Sequence, residues 1–391
     1  MIDPFTVHKT LTIIGDVVDP ISRQPYSRDP RHVARKAVEY LRSTGIAHDV
    51  YVGPEQEFFI FDAVAYHHSP LSAHFEIVSS ESATSSGELH SGHKIRRKEG
   101  YFPVKPWDQF QDIRSEIVIE CDKVGMKIER SHHEVASSGQ GEINYRFADL
   151  IRSAENVQLF KYITHNVAAR HGKVATFMPK PVSEENGTGM HTHVSLHEKD
   201  GKNLFIGDKY SGLSQLALHF IGGIIKHSKS LLAITNPTIN SYKRLVPGFE
   251  APINMAYSAR NRSASLRIPI CHPKAKRVEF RTPDGSCNPY LAFAAITMAG
   301  IDGIKNKIDP GAPLEKDIYS LSHSELEALP KAPKDLEDAL NHLEADHKWL
   351  TVGNVFTSDL IETWISRKRE TEIQPWRKVI TPFEFHQYID C

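Results

Sequence analysis

The sequence predicts an α+β fold, with strands joined mostly by hairpins and loops and helices interspersed, rather than a regular β-α-β alternation. Three observations predict it. VYVGPEQEFFIF, HTHVSLH and RVEFR alternate side chains with the period of a strand. SSGQG, a turn-like segment, separates KIERSHHEVA from EINYRF, the pattern of a hairpin. Between these runs lie capped segments with helical apolar spacing.

Taken in order, KTLTIIGDVVD (Lys9 to Asp19) is rich in β-branched residues and breaks at Pro20, so it reads as a strand arriving without a partner. DPRHVARKAVEYLRSTG is a helix: Asp29 is its N-cap, Pro30 sits in the first turn, Val33, Ala34, Ala37, Val38 and Leu41 form the apolar side, and Gly45 closes it. VYVGPEQEFFIF follows as a strand. From Tyr66 to Glu99 the chain is rich in Ser, His and Gly with little periodicity, which reads as a long functional loop or hairpin. A helix is expected around Trp107 to Val124, ahead of the hairpin, and Asp149 caps another to about Arg170. NGTGMHTHVSLHE carries a strand, Ser211 to Ser228 is helical, TNPTINSYKRLVPGFEAP is loop-like and RVEFRTP is a short strand. Asn288 and Pro289 cap YLAFAAITMAGI, whose apolar composition predicts burial on all sides. The remaining C-terminal stretch reads as amphipathic helices broken by Pro and Gly.

With 391 residues and a formal net charge of -1, the chain is long enough for a large core and has no bias toward nucleic acid or anionic membrane. Cys121, Cys271, Cys287 and Cys391 are far apart, without the C-x-x-C spacing of a zinc ribbon or the density of a disulfide scaffold. No leader-like start or membrane-length apolar run is present. A cytoplasmic protein is expected.

Glu55 and Glu57 lie on one face of an otherwise apolar strand, with Gly53 behind and Phe59 ahead. Two like charges side by side in such a setting need a cation or donors, unless the strand is an edge with a solvated acidic face. Glu134 and Glu142 repeat the problem: if SSGQG is a turn centred on Ser138, they face each other across a hairpin. His191, His193 and Ser195 share one face of GMHTHVSLH, and Arg277, Glu279 and Arg281 share one face of RVEFR. Glutamates with one or two imidazoles and no thiolate form a hard-ligand set that suits Mg²⁺ or Mn²⁺, with charge enough for two ions. Arg260, Arg262, Arg267, Lys274, Arg277 and Arg281 supply cations for phosphate or carboxylate. No Walker-type loop or protein-kinase motif set is present. The residues alone lead to a two-metal, arginine-rich site for phosphoryl transfer.

GPEQEFF, HHEVASSGQGE, NGTGMHTHVS, NSYKRLVPGFEAP, NRSASLRIP, KRVEFRTPD and NPYLAFAA together resemble the successive signatures of type I glutamine synthetase, in order along the whole chain. The resemblance implies that family's catalytic fold, in which an antiparallel sheet forms an active-site funnel surrounded by helices. It also implies ATP-dependent ligation of ammonia to glutamate through a γ-glutamyl phosphate. Glu57, Glu134 and Glu142 match the ligands of the metal nearer glutamate, and Glu55, His191 and Glu279 those of the metal nearer the ATP phosphates. Asn186, Gly187, Arg244 and Arg281 match glutamate-binding positions, while Arg262 and Arg267 match those facing the transferring phosphate. Glu129, Phe147, His193, Ser195, Lys274 and Arg277 match the nucleotide pocket. Glu250 matches a flap carboxylate that shields the intermediate and deprotonates ammonium, Tyr101 lies near that ammonium site, and Tyr319 aligns with a tyrosine adenylylated in one bacterial subgroup, although its flanks differ.

Members of that family assemble as a double-ring dodecamer with active sites shared between subunits. They begin with a small β-grasp domain that is nearly absent here, so residues 1–26 are expected to be its last strand and linker, and 27–391 the catalytic domain with a helical C-terminal segment. Two alternatives stay open: a γ-glutamyl ligase acting on another amine, and an impaired, truncated assembly or regulatory subunit.

Overall fold

The computed structural model describes residues 1–83, 92–247, 251–259, 261, 264–316 and 329–391. The first half runs α1 (Pro30–Ser43), β1 (Asp49–Phe61), β2 (Ala63–Ser69), β3 (Ser72–Val78), α2 (Gln111–Lys123), β4 (Ile128–His133), β5 (Gln140–Tyr145), β6 (Ala148–Asp149), α3 (Leu150–Arg170), β7 (Val174–Thr176) and β8 (Met190–His197). It continues through α4 (Gln215–Thr235), α5 (Ile239–Arg244), β9 (Asn254–Ser258), β10 (Ala264–Arg267), β11 (Val278–Phe280) and α6 (Pro289–Lys305). Among the later helices are α7 (Leu336–Ala345), α8 (Ser358–Lys368) and α9 (Pro382–Tyr388).

One sheet organises the molecule, in the order β4-β5-β1-β8-β11-β10-β9, with β6 and β7 also pairing along β1. Its pairs are antiparallel except β9 with β10, which run parallel. Alternation gives the sheet two different faces. Gln56, Phe58 and Ile60 of β1 point into the core, where Phe58 meets Phe160 at 5.9 Å and Phe177 at 5.7 Å between ring centroids. Glu55 and Glu57 point the other way. Behind the core face lie α1, α3, α4 and α6; nearly every side chain of α6 is buried, as its composition predicts.

The caps are where the sequence places them. Asp29 accepts from Arg31 N, Asp149 from Arg152 N, and Asn288 from the amides of Tyr290 and Leu291. The first part of the Tyr66 to Glu99 stretch belongs to the hairpin β2–β3, which begins at Ala63 and ends at Val78; residues 84–91 lie outside the described residues. None of the described helices is long and apolar enough to cross a membrane.

Three expectations need correction. Lys9 to Asp19 is not a strand: it makes only the isolated bridges Ile2 to Leu11 and Val18 to Pro25, and Leu11, Ile13, Val17 and Val18 are exposed. Within TNPTINSYKRLVPGFEAP, Thr238 forms a capping box with Ser241 and starts α5. The β4–β5 hairpin is centred on Ser137, not Ser138, because His133 pairs with Gly141 and His132 with Glu142.

Candidate active site

Register lines up the chemistry. His132 lies opposite Glu142, Glu142 opposite Glu57, Glu55 opposite His191, His193 opposite Glu279, and Glu279 opposite Arg267. Directly opposed residues share a face, so four glutamates and three imidazoles, with Arg267 at the end, cross the sheet in one band. The hairpin's shifted centre makes His132, rather than Glu134, the partner of Glu142. His132 then stands between the two carboxylates, with Nδ1 3.6 Å from Glu134 and Nε2 3.6 Å from Glu142.

The band opens into two adjoining cavities. A cleft of about 980 Å³ is lined by Glu129, Phe147, His193, Ser195, Lys274 and Arg277, all residues matched above to a nucleotide pocket. A second, of about 480 Å³, is lined by Glu57, Tyr101, Glu134, Glu142, Asn186, Gly187, His191, Arg244, Glu279 and Arg281. Glu55, Arg130, Asn144 and Arg267 belong to both, so the band is where the cavities communicate.

Two groups of donors converge closely enough for a cation: Glu55, His193 and Glu279, and His132, Glu134 and Glu142, each with ligand atoms within 4.8 Å of one another. The two imidazoles near Glu55 differ. His193 is engaged at both nitrogens, with Nε2 2.8 Å from Glu55 and Nδ1 accepting from Arg277 Nε at 3.1 Å. His191 stands 3.5 Å from Glu55, 3.7 Å from Glu279 and 3.8 Å from Glu57. Those separations exceed hydrogen-bond length and match ligands spread around an ion. Hydrogen bonding therefore favours His191 over His193 as the ligand, despite the tighter cluster that His193 makes.

The electrostatics differ along the band. Burial drives Glu57 above the ordinary carboxylate range, assisted by Glu142 and opposed by His191, although Gly189 N donates to it at 2.7 Å. Burial also works against ionised Glu55 and Glu279, but the imidazoles of His191 and His193 outweigh it at Glu55, and those imidazoles with Arg267 and Arg281 outweigh it at Glu279, so both are held low. Burial lowers Arg244, which donates to Thr282 O at 2.7 Å and Arg281 O at 3.1 Å. A surplus of carboxylate, part of it held ionised and part penalised by burial, is what a divalent cation would relieve.

Backbone geometry fixes the smaller cavity. A Cβ on Gly187 would stand 2.4 Å from Pro179 O, and one on Gly189 2.5 Å from Arg244 Nη2, so only glycine lets this segment lie against Arg244. Gln140 Nε2 donates to Gly187 O at 3.0 Å and ties the β4–β5 turn to it.

Glu250, Arg260, Arg262 and Tyr319 lie outside the described residues. The sequence reading overlooked His132, although alternation from Glu134 puts it on the same face, and it overlooked the buried contact of Glu81 with His133, for which no spacing signal exists.

A family profile described as the glutamine synthetase catalytic domain matches residues 27–388. Glutamine synthetase of Streptomyces filamentosus is 54% identical over 394 residues, covering 100% of this chain and 84% of the relative. That of Mycolicibacterium smegmatis is 54% identical over 400 residues, covering 100% and 83%. Among solved structures, cryo-EM Plasmodium falciparum glutamine synthetase superposes with a TM-score of 0.87 at 32% identity, covering 95% of this chain and 81% of that one. An ADP complex of GmaS gives 0.78 at 32% identity, covering 95% and 79%.

Proposed function

The chain belongs to the glutamine synthetase family and is a glutamate–ammonia ligase driven by ATP; from that premise we propose how its own residues divide the reaction. The observation that carries the assignment is the single band of carboxylates and imidazoles joining a large and a small cavity.

The large cleft takes ATP. Phe147, 57% exposed and edge-on to Tyr51 at 5.6 Å, offers its face to the base. Lys274 and Arg277 lie along the same wall for phosphates. The bound ADP of the GmaS neighbour supports a nucleotide here. The smaller cavity takes glutamate, with Arg244 and Arg281 as cations and Asn186 and the Gly187 backbone as polar partners.

Glu55, His191 and Glu279 would hold one Mg²⁺ or Mn²⁺ on the nucleotide side; Glu57, Glu134 and Glu142, with His132 between the last two, would hold a second on the glutamate side. The donor set is hard oxygen with imidazole and fits such ions. When bound, such ions would supply neutralisation of the phosphate charge. Arg267, whose Nε is 2.5 Å from Glu279, sits at the shared wall where a γ-phosphate would cross; Arg262 is assigned the same phosphate by its match to the family. By its match to the family, Glu250 is assigned the shielding of the acyl phosphate and the ammonium proton, and Tyr101 lines the smaller cavity; excluding water from an acyl phosphate protects it from hydrolysis. Tyr319 is the candidate for adenylylation.

We place the catalytic domain at residues 27–391 and treat 1–26 as a separate short unit. Ile2, Val7, Leu11, Ile13 and Ile21 near one end, and Trp376, Phe383, Phe385 and Ile389 near the other, are exposed, which supports a homo-oligomer. Phosphate release from Mg-ATP, measured with and without glutamate and ammonium, tests the reading. Release that needs both, with glutamine formed, is expected; release supported only by a larger amine would overturn the choice of ammonia.

A further inference from the structure

Beneath the acidic end of the band lies a buried pair that the reaction scheme does not use. Glu81 and the His133 side chain are both fully buried, with Glu81 Oε2 3.0 Å from His133 Nε2. Glu81 Oε1 accepts from the amides of Gln109 at 2.6 Å and Phe110 at 3.1 Å, just ahead of α2. A carboxylate there is favoured by the helix N-terminus and is fixed from two sides. On the far side of the ring, His133 Nδ1 faces two carbonyls, Gly100 O and Glu134 O, each at 2.7 Å. One of these belongs to the residue before Tyr101 and the other to Glu134 itself.

The segment from Gly100 to Phe102 is held to the end of β4 and the residues just after it with little slack. Gly100 N donates to Val135 O at 3.0 Å and Phe102 N to His133 O at 3.4 Å. A Cβ on Gly100 would lie 2.6 Å from Glu134 O, 2.8 Å from Ala136 O and 2.9 Å from His133 Cε1. Directly beyond it, Phe102 stacks on His132 at 4.6 Å and 18°, and Tyr101 meets the same ring edge-on at 5.9 Å. His132 in turn stands between Glu134 and Glu142. The wall of the acidic cluster is thus set by a chain of contacts that ends at Glu81.

We propose that Glu81 and His133 are positioning residues for the small-cation end of the site, fixing Tyr101 and Glu134 relative to each other so that ammonium is bound and oriented. The inference rests on the reading that the smaller cavity takes ammonium beside Tyr101. Truncating Glu81 removes the anchor of the ring, and the two carbonyls then lose their common donor. None of the residues in this chain of contacts lines the large cleft, so nucleotide binding is spared.

The test compares Glu81→Ala, Glu81→Gln and His133→Gln in the full chain, by KM and kcat for each substrate and by thermal stabilisation with Mg-ADP. Gln at 81 keeps the acceptor for the two amides and a polar contact with the ring; Gln at 133 can still reach Glu81 but releases both carbonyls. Glu81→Ala and His133→Gln are expected to raise the ammonium KM by about 10-fold or more, with the ATP KM and the Mg-ADP shift within about 3-fold and about 1 °C of wild type. Glu81→Gln restores most of the ammonium affinity. Equal loss for all substrates, or a lower melting temperature with every KM unchanged, would make the pair merely structural and overturn the inference; if Glu81→Ala does not fold, His133→Gln decides. A wild type that needs no ammonium would instead defeat the underlying reading.

Discussion

Glu57 and Glu142 face each other directly across β1 and β5, two buried carboxylates whose opposition is one reason Glu57 resists ionisation. Like charges in that relationship destabilise a sheet unless something lies between them. Glu142→Gln removes one charge and keeps the shape. In EDTA the variant is expected to melt about 1–3 °C higher than wild type, from relief of roughly 1 kcal/mol. With Mg²⁺ present the order should reverse, and turnover should fall by at least about 100-fold. Scanning calorimetry with and without metal checks both; a variant less stable in EDTA would contradict the opposition.

Phe147 presents an exposed ring to the large cleft. Stacking a base on an aromatic face is worth about 1–3 kcal/mol, so Phe147→Ala should raise the ATP KM between about 5- and 100-fold. Glutamate KM should stay within about 2-fold. Steady-state kinetics with each substrate varied in turn would show the asymmetry, or a uniform effect that refutes it.

Gly187 lies where no Cβ fits, with Pro179 O 2.4 Å from its ideal position. A backbone carbonyl cannot swing aside as a side-chain tip can, so Gly187→Ala must push the segment away from Arg244. We expect a loss of about 1–3 kcal/mol in stability and a glutamate KM raised more than the ATP KM. Urea unfolding and kinetics together test this; a neutral variant would mean that the segment has room.

Asp62 follows the last residue of β1 and accepts from Ser80 N and Lys173 Nζ. Burial works against its charge, but Lys173 and the Ser80 contacts outweigh it and hold the carboxyl below its ordinary 3.8. A depressed carboxyl contributes stability above its unfolded value and loses it as pH falls through the folded one. The stability gap between wild type and Asp62→Asn should therefore be constant from pH 7 to about 4.5, then close below about pH 4. Urea midpoints across that range measure it. A gap that shrinks between pH 7 and 5.5 would assign the effect to another group.

Much of this site was legible because strand alternation is a strict rule: Glu55 and Glu57, or His191 and His193, had to share a face wherever the strands went. Which strands would be neighbours was not legible. Nothing local specifies that Glu55 meets His191 or that His193 meets Glu279, since β8 is set beside β1, and β11 beside β8, by tertiary packing. The hairpin centre was misjudged by one position, enough to change the partner of Glu142 from Glu134 to His132. Lys9 to Asp19 had strand composition, but its side chains meet no neighbouring strand and its propensity goes unused. Glu81 looked like one more polar residue in a Ser-rich stretch; its burial depends on His133, over 50 positions away.

Under the proposed division, Glu55 and Glu57, adjacent on one face of β1, serve different ions. Counting bound Mn²⁺ per chain by electron paramagnetic resonance, in the presence of ADP and glutamate, tests it most directly. Wild type should bind two ions, and Glu57→Gln and Glu279→Gln should each bind one, the first leaving the ion that responds to ADP and the second removing it. A single ion in wild type, or two retained in Glu57→Gln, would contradict the division.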